Sequence, residues 1–209
     1  MNNDNNSNGI WFVLAFVVVP VVIGIGKFFS PDTFTINSNT NSPIYVRNLS
    51  AIDSVQKTME DEFSMSQNTK AVMGFDNGTQ CICELYTTLT GDSGVVFTLR
   101  STRHDYELNP NKGIEFVYSP KGTVLKENGK VVKSFPDITP RLGVAERITF
   151  ENISNKVNIK VGCTPICSYF TQLPATEYMV VHTQSNTTAL LSKITSEPVF
   201  EKPASDEAR

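Results

Sequence analysis

Four cysteines in two close pairs, Cys81-x-Cys83 and Cys163-x-x-x-Cys167, are the residues whose type and spacing first invite a chemical reading. An even number of cysteines in a strand-rich chain suits disulfides formed in an oxidising compartment. Residues i and i+2 of a strand point the same way, so Cys81 and Cys83 are poorly placed to bond each other. The expectation is that each bonds one of Cys163 and Cys167, which flank the turn Thr164-Pro165-Ile166. Free buried thiols are one rival. A four-thiolate zinc site is another, opposed by the Cys81-x-Cys83 spacing, which is tighter than the knuckles of structural zinc sites.

Other reactive residue types are sparse. The chain has two histidines, His104 and His182. His104-Asp105 after Arg103 resembles part of a nucleophile–base constellation, but no Gly-x-Ser-x-Gly elbow presents a nucleophile to it. No glycine-rich phosphate cradle, HExxH helix or EF-hand loop occurs, so neither a cofactor nor a metal is expected. Should the chain act on saccharides, its acids would come from Glu84, Asp105, Glu107 or Glu115, and such chemistry needs two carboxylates about 5–10 Å apart. Tyr86, Tyr106, Tyr118, Tyr169, Phe170 and Tyr178 offer either an aromatic binding surface or core filling, and strand spacing favours the core. Asn-x-Ser/Thr sequons stand at Asn48, Asn77, Asn152 and Asn186, which this Asn-rich composition produces by chance.

The element that must place all of this is an apolar run. Ile10–Gly26 (IWFVLAFVVVPVVIGIG) supplies 17 residues, and Phe28 and Phe29 extend it if Lys27 snorkels to the headgroups. A membrane-crossing helix needs about 20. Trp11 and Phe29 sit at its ends, where large rings rest at interfaces. Pro20 removes one donor, a defect that membrane helices tolerate. A cleaved signal peptide, with Gly24-Ile25-Gly26 as cleavage site, would need the basic leader that MNNDNNSNG lacks. The expectation is therefore a single-pass anchor over 10–29, marked by Ile10, Trp11, Pro20, Gly26 and Phe29. Lys27 alone would set its end in the cytosol by the positive-inside rule. The four cysteines argue the opposite, and on them rests the expectation of a non-cytosolic body.

Around the anchor the chain divides into a polar tail over 1–9, a polar stalk over 30–43, a body over 44–195 and a charged tail over 196–209. The body has the size of one ordinary domain. Net charge is −3 and the 18 basic residues are dispersed, which argues against a nucleic-acid surface. From Ser50 to about Asn68, Ile52, Val55, Met59 and Phe63 recur at helical spacing, so the pattern predicts one amphipathic helix. From Lys70 onward the pattern is β. Val95, Phe97 and Leu99 alternate with Val96, Thr98 and Arg100. Glu127-Asn128-Gly129 joins two strands through the residues of a type I′ turn. Tyr178–Thr183 and Ala189–Lys193 are expected to pair across Gln184–Thr188. About nine strands with hairpin-length loops predict an antiparallel β-sandwich or barrel.

The plan that fits is a non-catalytic membrane protein displaying a β-sandwich for binding or assembly, toward a protein or glycan partner, as in envelope, attachment or membrane-complex subunits. A membrane-tethered enzyme acting on saccharides is the alternative, as is a regulatory or chaperone-like partner of another membrane protein.

Overall fold

The computed structural model describes residues 33–36, 44–49, 55–75, 79–101 and 112–199. The expected anchor over 10–29 and the tail beyond 199 lie outside them, as do His104, Asp105, Tyr106 and Glu107. Among the described residues no helix is long and apolar enough to cross a membrane, and all regular structure is β.

Among the described residues fifteen strands, numbered in chain order, form two sheets. The first runs β1 (Thr33–Ile36), β2 (Ile44–Asn48), β5 (Lys70–Phe75), β14 (Tyr178–Thr183), β7 (Val95–Leu99), β8 (Ile114–Tyr118), β9 (Thr123–Glu127), β10 (Lys130–Phe135). The second runs β13 (Thr164–Phe170), β12 (Lys156–Val161), β11 (Glu146–Ile153), β6 (Cys81–Gly91), β15 (Thr187–Pro198), β4 (Glu62–Met65), β3 (Val55–Met59). The ladders from β2 to β10, and those of the second sheet, are antiparallel.

The sandwich forms because both sheets bury alternate residues against each other. Along β6, Cys81, Cys83, Leu85, Thr87 and Leu89 are buried while the residues between them are half-exposed. Phe97 and Phe116 of the first sheet close on Phe150 of the second, with ring centroids 5.2 and 5.8 Å apart. All three rings are fully buried. At Asn128 and Gly129 φ is 49° and 78°, the left-handed pair that the β9–β10 turn requires.

Several expectations are corrected. The segment from Ser50 to Asn68 is no helix where it is described: β3 and β4 form a hairpin turning at Glu60-Asp61. Phe63 and Met65, two residues apart, are buried, whereas Met59 of the expected helical stripe is 65% exposed. Pairing of Phe63 with Leu191 on β15 supplies the tertiary partner that overrides the local period. The described residues hold fifteen strands rather than about nine, and β1 to β4 and β13 are among those the pattern does not predict. Within the expected stalk, β1 contributes the fully buried Ile36 and the partly buried Phe34, whose ring lies 5.9 Å from Phe63, so the folded body includes residues before 44. Finally, β14 and β15 do not pair. They lie in different sheets, and the chain crosses the sandwich between them.

Candidate functional site

The outer face of the first sheet carries an unusual set of residues. Its inner face takes Ala71 and Met73, Val95 and Phe97, Ile114 and Phe116, Met179 and Val181. By alternation the outer face receives Lys70 and Val72 of β5, Val96 and Thr98 of β7, Glu115 and Val117 of β8, Lys126 of β9, and Val180 and His182 of β14. Val72 and Val180 pack with Leu49 and Tyr178 into a second apolar cluster, apart from the main core.

Register brings the polar members of this face together. Lys70 stands opposite His182, His182 opposite Val96, Thr98 opposite Glu115, and Glu115 opposite Lys126. Neighbouring strands are about 4.8 Å apart, so the set spans four ladders. These residues, with Val180 and Gln184, line a cavity of about 180 Å³. On the same outer face Gly74 stands between Tyr178 and Tyr45, and a Cβ there would meet the Tyr178 ring at 3.8 Å and Tyr45 Cβ at 3.9 Å, ordinary contact distances. Tyr178 packs on Val180, which lines the cleft; Tyr45, 47% exposed, stands on β2 beyond the lining residues.

Burial sets the charge states. It holds the Lys70 ammonium below its ordinary range. Burial, reinforced by the charge of Lys70, pushes the His182 imidazole down. Glu115 is pushed up by burial and pulled back by Lys126. His182 is thus a neutral ring at neutral pH, with one nitrogen donating and one accepting. Perturbed ionisable groups converging on a partly apolar cleft are the physical mark of a ligand site.

Of the residues singled out by sequence, Glu115 falls in this cleft and Tyr178 beside it. Glu84 points from the outer face of β6 on the opposite sheet, where Thr149 Oγ1 donates to it at 3.4 Å and Arg147 lies 3.9 Å away. Sheet separation alone is about 10 Å, so Glu84 and Glu115 cannot flank one bond. Tyr118 belongs to the core and Tyr86 to the second sheet's outer face, under Lys193 Nζ at 5.2 Å. Lys70, Thr98, Lys126, His182 and Gln184 were missed. Their one signal is phase: Lys70-x-Val72 and Val180-x-His182 alternate opposite to the core residues of their own strands.

The cysteines are all free thiols. Cys83, Phe150, Ile159 and Cys167 lie in one row across β6, β11, β12 and β13. Three ladders put about 14 Å between Cys83 and Cys167, twice the Cα reach of a disulfide. Cys163 sits exposed in the β12–β13 turn, 3.6 Å from Arg147 Nη2. The ladder therefore replaces the expected cross-links with thiols. Burial raises the thiol pKa of Cys81, Cys83 and Cys167, which makes them poor nucleophiles. Among the described residues no three His, Cys, Asp or Glu side chains are grouped to hold a metal ion.

No protein-family model and no curated protein matches the sequence. Solved structures do share the architecture. A carbohydrate binding module, CBM66 from Bacillus subtilis, superposes with a TM-score of 0.58 at 12% identity, over 78% of this chain and 99% of that one. The VIP36 exoplasmic/lumenal domain in its Ca2+/Man3GlcNAc-bound form gives 0.55 at 7%, over 83% and 92%. A Bacillus subtilis protein of unknown function with a galectin-like fold gives 0.53 at 10%, over 76% and 90%. Identities this low show the fold: a two-sheet, galectin-like antiparallel β-sandwich.

Proposed function

We propose that this chain is a non-catalytic, single-pass membrane protein whose β-sandwich binds a glycan on the outer face of its first sheet. The observation that carries the reading is the cleft: one carboxylate, two lysines, a neutral imidazole, a hydroxyl and a carboxamide above valines, with Tyr178 packed on one of those valines, Val180. A sugar ring needs that mixture. Glu115 accepts from adjacent hydroxyls, Lys126 donates to their oxygens, and His182 and Gln184 each offer one donor and one acceptor. The Tyr178 ring beside Val180 offers a surface to the apolar C–H face. The fold shared with a carbohydrate binding module and with a domain crystallised on Man3GlcNAc supports a saccharide ligand. A glycosidase needs two carboxylates about 5–10 Å apart, and among the described residues that line this cleft Glu115 is the single carboxylate.

The apolar run over 10–29 supports a membrane anchor, and a glycan ligand supports a body on the non-cytosolic side, where glycans are displayed. The test is a glycan array probed with the full-length protein in a detergent that is not itself a glycoside. Binding lost in Glu115→Gln and His182→Ala is expected. An array without any bound glycan, or binding indifferent to both substitutions, overturns the reading.

A further inference from the structure

A second cleft opens at one end of the sandwich, where three segments converge: the β9–β10 turn, the β11–β12 turn and the residues following β13. Its volume is about 390 Å³, and Asn128, Asn155, Phe170, Gln172 and Leu173 line it together with Glu127. Lys126 lines the first cleft and Glu127 this one, so consecutive residues of β9 serve opposite sides of the strand.

The walls are fixed before any ligand arrives. Glu127 accepts from the Tyr169 hydroxyl at 2.7 Å and from the Thr171 hydroxyl. Thr171 Oγ1 accepts from the Leu173 amide at 3.1 Å, and the Thr171 amide donates to Asn155 O at 2.9 Å. Gly113 N donates to Asn128 Oδ1 at 3.1 Å. Beneath the floor, the buried Arg100 guanidinium donates to Leu173 O at 2.6 Å and to Lys156 O at 3.0 Å. What these bonds leave available is specific: an exposed benzene ring, Phe170, 65% accessible with Lys156 Nζ 5.6 Å from its centroid, and carboxamides. Asn128 has its Nδ2 to spare, and Asn155 and Gln172 are both exposed.

We infer that this cleft is a second binding site, for a saccharide bearing an acetamido group. The one carboxylate is already engaged, so the recognition left to the site is uncharged. Carboxamides pair with an amide, each giving one donor and one acceptor. The Phe170 ring stacks on the C–H face of the pyranose and on the acetyl methyl. Preformed walls lower the ordering cost of binding. The site does not depend on the glycan reading of the first cleft, since the two share no residue.

Titration of full-length protein in a non-glycosidic detergent with N,N′-diacetylchitobiose, followed by saturation-transfer NMR, tests it, with cellobiose as the ring without acetamido groups. Chitobiose should bind and cellobiose should bind far more weakly. Phe170→Ala, and the double substitution Asn155→Ala with Gln172→Ala, should each weaken chitobiose roughly tenfold or more, as loss of a central anchor does. Phe170→Tyr should bind as the unmodified protein does. Glu115→Gln and His182→Ala report on the first cleft, so any chitobiose binding that they weaken and Phe170→Ala does not is assigned there, which separates this site from the first. Phe170, Asn155 and Gln172 are exposed, so the melting temperatures of those variants should hold. Absence of chitobiose binding, equal binding of cellobiose, or loss in Glu115→Gln but not in Phe170→Ala overturns the inference.

Discussion

Replacing Glu115 by Gln should make the sandwich more stable and the glycan site worse. Glu115 is 6% exposed on β8, and burial raises its pKa above the ordinary 4.5, with Lys126 opposing. A carboxyl with a raised folded pKa makes the folded state bind more protons than the unfolded one, so stability falls as pH rises through the window above 4.5. Below that window the acid is neutral in both states and the penalty vanishes. Gln keeps the shape and removes the charge, leaving Lys126, half-exposed, with little to lose. Relief of a buried, imperfectly compensated charge is worth about 1 kcal/mol here, at the low end for unsatisfied buried groups. For a domain of this size that is roughly 2–4 °C in melting temperature. Thermal unfolding of a fragment over 30–209, followed by circular dichroism, should show the variant ahead by that margin at pH 8 and level with the parent at pH 4. Glycan affinity should drop roughly tenfold at pH 8, about 1.4 kcal/mol. A variant less stable at pH 8, or a gap equal at both pH values, would refute the account of Glu115 as a desolvated functional acid.

The other expectations concern the frame. Tyr118→Phe removes a 2.7 Å hydrogen bond to Glu146 and should cost about 1.5–2 kcal/mol. Burial pushes Glu146 up, but bonds from the Arg141 side chain, the Tyr118 hydroxyl and the Arg141 amide outweigh it and leave its pKa lowered, so this stability is present above 4.5 and fades as pH falls through the folded value. Urea unfolding at pH 7 and pH 3 should show the Tyr118→Phe deficit shrinking at the lower pH. Phe150→Ala, which empties the space between Phe97 and Phe116, should cost about 3–5 kcal/mol, read in the same urea experiment. Maleimide labelling with mass spectrometry should find Cys163 reacting first, Cys167 more slowly, and Cys81 and Cys83 only in denaturant. Full-length protein should resist carbonate extraction from membranes, and its quantitative release would remove the anchor.

The parts of the fold legible in the sequence are those whose cause is local. Asn128-Gly129 needs only its own φ values to make a hairpin, and Val95–Leu99 alternates whatever its partner. Local signals misled where a partner decides. Val55, Met59 and Phe63 satisfy a helical period by arithmetic, yet β15 offers Phe63 and Met65 a ladder, and the segment takes the pairing. Tyr178–Thr183 and Ala189–Lys193 read as a hairpin because the turn residues between them are good. Each nevertheless finds two better neighbours in a different sheet. The site suffered the same way. Lys70, Glu115 and His182 are far apart in sequence and meet only through ladder order, and no spacing rule encodes that order.

The choice of face follows from how each sheet treats its own charges. On the second sheet's outer surface the charged groups are committed to one another. Glu151 accepts from Lys160 and, at 2.8 Å, from Asn158. Glu84 lies by Arg147 and Thr149, Lys193 covers Tyr86, and Thr90 bonds Thr188 at 2.6 Å. A ligand there would have to break protein bonds to make its own, and gain little. On the first sheet's outer surface, burial pushes Lys70 and His182 down and Glu115 up. That pattern means desolvation exceeds the compensation the protein supplies to these groups. A polar ligand that hydrogen-bonds Glu115 and His182 returns part of what desolvation removed, so binding energy is available there without breaking the fold's own bonds. Polarity is common to both faces; the desolvation of Lys70, His182 and Glu115 distinguishes the first, and it supports the proposal of a glycan site on that sheet.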